Sequence, residues 1–591
     1  MPIPRIRRTT RGLDGPEPGP EPEGLTSVAR ELVEPYEQLP AHGEVVEAPA
    51  FVDLPARDPV LALQHMETAL VRSDLKCPGV LSPGEFRRLR YLLSFARLTV
   101  FEPGAAGPGG ARGRGDVEVG EELDGFRARV VGALHGPLRE VTDPAERLRA
   151  AKSALAALVE PLETERRTLT ERHANRFSPA ELDAEVGYKA LVLVLGGGGG
   201  PGYVYLGGLH RLREEGLRPS YMLGTSIGAI VGSIAARVDP IPVEEYIAWA
   251  KTVTYRGILG PEPLRRRHGL TGLFSLRFDT FAEGMFRRAD GRPLRMHELA
   301  IPYETVVAGV RRQSFDRLPA RFRRTELAAL HLAYLPRLRY GIGPSVASRM
   351  WQVAAFIDSR VVKPIVIGGD PLTAEFNVAD AASFSSAIPG VLHHESGDPR
   401  MHPLLDELLA AKDVAALVDG GTASNVPAEL AWRRVRDGRL GTRNACYFAW
   451  DCFQPQWDPR HLWLQPITQA LRVQLVRNAP YADQLVRFKP TLSAINLAAS
   501  PRAIDQAAGW GRASVEPALP VIRRLLEPVW WDGERPPFAE GRTEAPASAR
   551  GSAPRSMVEI LKSAQEAANR RPALARWRER RTRGRTDRPI G

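Results

Sequence analysis

The run ALVLVLGGGGGPGYVYLGGLHRLREEG, residues 190–216, decides the fold. Leu191 to Leu195 is an unbroken apolar stretch of leucine and valine, the pattern of a strand buried on both faces of a parallel sheet. It passes into five adjacent glycines, Gly196 to Gly200, and then into a segment with helical spacing that stops at Gly216, a residue suited to a helix C-terminus. Arg218 to Leu223 leads to a second short strand, followed by GTSIGAIVGSIAA, residues 224–236. Strand, glycine loop, helix, strand, tight turn and helix in succession predict α/β architecture. Thr305 to Val310, Phe376 to Ala379 and Ala415 to Val418 read as further strands, and YFAWDCF, residues 447–453, as one more core strand.

Outward from this segment the chain divides by composition. Residues 1–24 interleave Pro18, Pro20 and Pro22 with acids and read as a flexible leader with no apolar run of a secretory signal. Residues 25–188 read as an accessory, mostly helical region. Helical periodicity falls at Pro59 to Arg72, at Ser82 to Phe95 with Ser82-Pro83-Gly84-Glu85 as its start signal, and across 141–171, with a glycine-rich loop at 104–116 between. An Arg, Leu, Tyr and Trp rich stretch at about 311–369 interrupts the α/β rhythm and is expected to be an inserted lobe. Residues 431–537 are expected as an extension packed on the core, with a helix at Pro466 to Val476. Residues 538–591 are expected as a flexible basic tail with a helix at Met557 to Asn569.

With 591 residues, 43% hydrophobic and 25% charged, the chain has an ordinary globular balance. Glycine and proline, 54 and 51 residues, together make about 18% against a usual figure near 12%, so many positions are turns or unusual backbone. The net charge of +11 is concentrated at the end: Arg570 to Gly591 holds nine arginines against Glu579 and Asp587, a local +7. The rest is only mildly basic, which removes the main support for specific nucleic-acid binding, while the tail suits peripheral contact with an anionic membrane. Cys77, Cys446 and Cys452 form no CxxC pair, so neither a zinc ribbon nor a disulfide framework is indicated, and a reducing compartment is expected. The most apolar stretch, Leu191 to Leu209, contains eight glycines and a proline and is not expected to span a membrane.

Three segments carry candidate chemistry. Gly224-Thr225-Ser226-Ile227-Gly228 is a G-x-S-x-G between a strand and a helix, the context in which glycines let a serine sit on a sharp turn with the helix start aimed at the reacting oxygen. Gly196 to Gly200 create a loop whose N–H groups can converge on an anion or a developing oxyanion. Gly202-Tyr203-Val204 stands where a nucleotide-binding loop would need Gly-Lys-Ser or Gly-Lys-Thr, so an oxyanion hole is the better use. Asp419-Gly420-Gly421 ends the strand Ala415 to Val418 and places a carboxylate at a strand end. A serine nucleophile needs a base: either Asp419 acts directly or a histidine stands between, and His461 is the one histidine after Asp419.

This combination resembles the patatin-like phospholipase family, serine acyl hydrolases with a Ser–Asp dyad and no catalytic histidine. Its signatures appear in family order: Gly196 to Gly202 after LVLVL, Gly224 to Gly228, the small-residue stretch Ala381 to Gly390, and Asp419-Gly420-Gly421 with Asn425-Val426-Pro427. The resemblance covers about Lys189 to Leu430, giving a catalytic domain at 189–430. It implies a three-layer α/β sandwich with a central, mostly parallel sheet, to which the helical N-terminal region and the inserted lobe are added. It also implies Ser226 as nucleophile, Asp419 as base, and Gly197, Gly198 and Gly199 as oxyanion loop, supported by Gly224, Gly228, Gly420 and Gly421. No cofactor and no metal are implied. One departure stands out: Pro201 occupies the place where the family usually has Arg or Lys.

The activity expected from the resemblance is hydrolysis of carboxylic esters of phospholipids, lysophospholipids or neutral glycerides, in the cytoplasm or at the inner membrane surface. In the lobe, Leu332, Tyr334, Leu335, Leu338, Tyr340, Met350, Trp351 and Phe356 with Arg337 and Arg339 suit either an interface or packing on the core. Two other readings stand beside it: a general esterase using a Ser226, Asp419 and His461 triad, and a lipid-binding scaffold without turnover, for which Pro201 is the argument.

Overall fold

The structure is a computed structural model and describes residues 42–46, 54–107, 110, 112–260, 266–272, 274–277, 284–318, 355–453, 465–531 and 560. Its centre is a sheet of eight strands: β1 (His42–Val46), β2 (Ala190–Leu195), β3 (Tyr221–Thr225), β4 (Tyr303–Arg311), β5 (Val362–Ile367), β6 (Val414–Val418), β7 (Ala445–Asp451) and β8 (Gln484–Lys489). The order is β1-β8-β7-β2-β3-β4-β6, with β5 also paired to β4. The inner strands β8, β7, β2, β3 and β4 run parallel, and β1, β5 and β6 are antiparallel to their neighbours.

Alternation along β2 explains the layering. Leu191, Leu193 and Leu195 face one cluster, Val192 and Val194 the other, and all five are buried, each contributing about 2 kcal/mol by its removal from water. The leucine face packs on helices that include α7 (Val204–Glu214), α8 (Ile227–Ala236) and α14 (Pro501–Val515). The valine face packs on α12 (Ala428–Arg436) and the end of α13 (Gln465–Asn478). Helix, sheet and helix make the expected sandwich.

The N-terminal region is helical: α1 (Pro59–Lys76), α2 (Pro83–Ala96), α3 (Asp124–His135), α4 (Pro144–Leu155), α5 (Val159–Arg172) and α6 (Pro179–Gly187). The Ser82 start signal forms a capping box, in which Glu85 N–H donates to Ser82 Oγ at 3.2 Å and Ser82 N–H donates to Glu85 Oε2 at 2.8 Å. This region shares one hydrophobic cluster with the leucine face of the sheet. A buried ionic knot ties the two parts. Glu67 of α1 pairs with Arg90 at 3.2 Å, Arg97 at 3.1 Å and Lys189 at 3.1 Å, the last residue before β2. Asn444, before β7, accepts from Arg97 at 2.6 Å and Lys189 at 2.7 Å.

Several expectations change. The sheet reaches outside 189–430: β1 comes from the N-terminal region, β7 is the core strand expected at 447–453 and begins two residues earlier, and β8 comes from the stretch expected only to pack on the core. QLVRFK of β8 has the ambiguity of a short strand with two interleaved cations, which hid it in the sequence. Phe376 to Ala379, expected as a strand, instead leads into helix α10 (Val378–Ser385); the small residues of VADAASFS suit close helix packing, and Val378 is their one β-branched member. Within 311–369, β5 lies along residues 305–310 of β4, so the end of that stretch belongs to the sheet. Phe356 is buried with Val310, Val362 and Val418 rather than offered to an interface. The lobe residues Leu332 to Trp351, the leader, the tail helix apart from Ile560, and His461 lie outside the described residues. Among the described residues no helix is long and apolar enough to cross a membrane.

Candidate active site

Strand register brings together two side chains 193 residues apart. β3 pairs in parallel with the first half of β4, so that Thr225 lies opposite Val306. β6 pairs antiparallel with the second half of β4, so that Val418 lies opposite Ala308. The two strands thus point at each other along one neighbour, and the residues that follow them, Ser226 and Asp419, meet.

Ser226 stands at the elbow between β3 and α8 with φ 54° and ψ −122°, a left-handed backbone that non-glycine residues adopt at a cost of about 1–3 kcal/mol. The surroundings hold it there. Its carbonyl accepts from Ala229 N–H at 2.8 Å and Ile230 N–H at 3.1 Å, which starts α8 at the serine itself. Its own N–H donates to Ser385 Oγ at 2.9 Å, and the Ser385 hydroxyl donates to Val306 O at 2.6 Å, bracing the elbow against α10 and β4. Gly228 is required by contact: a Cβ there would lie 2.2 Å from the Leu195 carbonyl oxygen.

Asp419 is buried at 7% exposure. Its Oδ1 accepts the Gly421 N–H at 2.8 Å; among the described residues Oδ2 has no hydrogen-bond partner, and the side chain acting on the carboxyl is the Ser226 hydroxyl. Burial pushes the Asp419 carboxyl up to about 7, because a charge with no neighbouring cation is poorly solvated there; the Ser226 hydroxyl and the Gly421 N–H pull the other way. Among the described residues, which leave out His461, no histidine is among the groups that act on it.

The glycine loop divides into parts with different contacts. Gly196 N–H donates to Trp450 O at 2.9 Å and Gly197 N–H to Asn425 O at 3.0 Å. Gly197 lies against Ser226, since a Cβ on it would fall 2.9 Å from Ser226 Cβ, but its donor is committed. Among the described residues the N–H groups of Gly198 and Gly199 have no acceptor, and Gly199 adopts φ 70°, a conformation glycine takes without strain. The Cys452 thiol donates to Gly197 O at 3.6 Å and sits where a Gly198 side chain would go. Pro201 is buried in the 3-10 turn Gly200–Tyr203 that follows.

Ser226 and Gly199 form part of the wall of an open-mouthed cavity. The rest is almost wholly apolar, with Leu206, Ile227, Ile230, Ile234, Trp249 and Leu392 along it. Such a lining suits a hydrocarbon chain leading away from the serine.

Of the residues expected from sequence, Ser226, Asp419, Gly197, Gly198, Gly199, Gly224, Gly228, Gly420 and Gly421 gather at one point, and His461 lies outside the described residues. Roles for Ser385, Asn425 and Cys452 were not foreseen. Ser385 and Asn425 lay inside quoted signatures, so their presence was signalled but not their contacts.

An α/β sandwich with a serine elbow facing a buried aspartate defines the class of domain. Residues 193–432 match the model of the patatin-like phospholipase family, and the chain carries a patatin-like phospholipase domain over that span. Uncharacterized NTE family proteins of Mycobacterium bovis and Mycobacterium tuberculosis are 41% identical to it over 71 residues. That match covers 12% of this chain and 18% of each relative.

Proposed function

We propose that the protein is a serine-dependent lipid acyl hydrolase that cleaves carboxylic esters of phospholipids or lysophospholipids. The observation that carries this reading is the elbow serine beside an uncharge-paired, buried aspartate at the wall of an apolar cavity. Ser226 Oγ attacks the ester carbonyl carbon while Asp419 takes its proton. The tetrahedral oxyanion is held by the N–H groups of Gly198 and Gly199, with Gly197 shaping the approach and giving its own donor to Asn425. The carbonyl re-forms as the ester C–O bond breaks, and the alcohol leaves with the proton from Asp419. Water then attacks the acyl-serine, Asp419 again takes the proton and returns it to Ser226, and the fatty acid leaves.

Asp419 suits this part because its raised proton affinity lies near neutral pH, where a base is both ionised and strong enough to accept. The apolar cavity supports an acyl chain as the recognised group, with headgroup and glycerol toward the mouth. Peripheral contact with an anionic membrane through the basic tail, and a cytoplasmic or inner-membrane-surface location, belong to the same proposal.

The deciding experiment incubates the full chain with mixed phospholipids and lysophospholipids and identifies released fatty acids by mass spectrometry, comparing wild type with Ser226→Ala. Release by wild type and loss by at least about a thousandfold in the variant is expected. Equal release by both would overturn the assignment.

A further inference from the structure

Helix α13 reaches the site without contributing to the chemistry. Its residues Gln474, Arg477 and Asn478 lie at i, i+3 and i+4, hence on one face, and all three engage the chain that follows Asp419. Arg477 Nε donates to Glu429 Oε2 at 2.9 Å. Asn478 Oδ1 accepts Glu429 N–H at 3.0 Å in the first turn of α12, and its Nδ2 donates to the Gln474 carbonyl at 2.9 Å. Leu475, buried in the valine-face cluster, anchors the helix, while Val473 and Val476 point to solvent.

The Gln474 contacts differ in kind. Its Nε2 donates to Thr422 O at 2.9 Å, and its Oε1 accepts Asn425 N–H at 2.8 Å. Those two backbone groups stand three residues apart and are the pair that a simple turn would join to each other. Instead one side-chain amide is inserted between them and holds the turn open. From the opened turn, Asn425 O accepts the Gly197 N–H at 3.0 Å. At the other end, Thr422 Oγ1 donates to Asp419 O at 2.8 Å. A single amide therefore connects the aspartate, its following loop and the glycine loop. Only an amide presents a donor and an acceptor side by side in this way, and asparagine is one methylene too short to reach from the same backbone.

We infer that Gln474 is a positioning residue for the Ser226–Asp419 site, spacing the aspartate loop and the glycine loop relative to each other through Thr422 and Asn425. This rests on the hydrolase reading above. Gln474 touches neither reacting group, so its loss changes how well base and oxyanion donors are aligned rather than whether they exist. The expected signature is a fall in turnover with little change in apparent substrate binding, because the apolar cavity lies on the leucine side of the sheet and α13 on the valine side.

The test uses the full chain and a short-chain p-nitrophenyl ester. Gln474→Ala is expected to lower kcat about tenfold while KM stays within about twofold. Gln474→Glu keeps the acceptor for Asn425 and loses the donor to Thr422, so a loss of about threefold is expected, and this variant decides the matter if the alanine variant does not fold. Unchanged kcat in Gln474→Ala, a loss carried by KM alone, or equal damage in both variants overturns the inference. Hydrogen exchange provides an arm independent of turnover: amides of residues 422–426 exchange faster in the variants if the clamp exists, and unchanged exchange there overturns it. Should wild type cleave no ester, the hydrolase reading fails, and the exchange result alone judges the clamp.

Discussion

Two buried carboxylates near opposite ends of the sheet have been given opposite fates. Glu67, packed where β2 begins, is 1% exposed; burial alone would raise its carboxyl, but Lys189, Arg97 and Arg90 more than offset this and hold it down at about 2. Asp419, beyond the far ends of the central strands, is 7% exposed and has a hydroxyl and one N–H where Glu67 has three cations, so burial wins and raises it to about 7. Depth is similar and residue chemistry nearly the same. What differs is the company. Surrounded by cations, a carboxylate is a permanent anion that joins two parts of a fold; without them, it becomes a group that can take up and release a proton near neutrality.

The largest expected effect breaks the Asp419 half of the comparison. Asp419→Asn should reduce turnover by roughly 10³ to 10⁴, measured as initial ester hydrolysis, since the amide cannot accept the serine proton. The same variant should be more stable than wild type at pH 8. A folded-state proton affinity above that of the unfolded chain means the native state is the better proton binder, so wild-type stability falls as pH rises from about 4 through 7. Asparagine removes that loss, and urea denaturation at pH 8 checks it.

Next comes Glu67→Gln, which leaves two arginines and a lysine buried without their anion. A loss of about 3–5 kcal/mol is expected in urea denaturation, with hydrolysis per folded molecule retained. Its pH signature has the reverse sign: the Glu67 carboxyl is depressed, so its contribution is present above about 4.5 and disappears as pH falls toward 2. Wild type should therefore lose stability in that acidic window more steeply than the glutamine variant. The smallest effect sharpens the contrast. kcat/KM should rise about tenfold per pH unit below neutrality and level off above about 7, as Asp419 becomes ionised, whereas titrating Glu67 leaves no mark on that profile. A flat profile from pH 5 to 8 would remove Asp419 as the base.

Much of this contrast was legible from residue order. LVLVL, the elbow glycines around Ser226 and the Asp419-Gly420-Gly421 turn are local patterns, and each is dictated by what its own neighbours permit. Glu67 carried no comparable mark, because its partners Arg90, Arg97 and Lys189 are brought to it only when α1 and α2 dock on the start of β2. The same holds for the division of labour in the glycine loop. Gly197, Gly198 and Gly199 are identical in sequence, and only the placement of Asn425 decides which N–H is already used. Strands β1 and β8 escaped notice for a related reason, each being short and stabilised by the pairing with the other. Phe376 to Ala379 misled because Phe and Val in a four-residue window look extended, while the helix they introduce depends on α10 packing beneath β4.

The head-to-head seating of β3 and β6 on β4 has a consequence for how such a protein can change. With Ser226 and Asp419 each indexed to the same strand, through Thr225 opposite Val306 and Val418 opposite Ala308, their spacing is set by register on β4 and not by the length of the connections that lead to and from it. A fusion partner grafted between β4 and β5 is therefore expected to leave the spacing of Ser226 and Asp419 untouched.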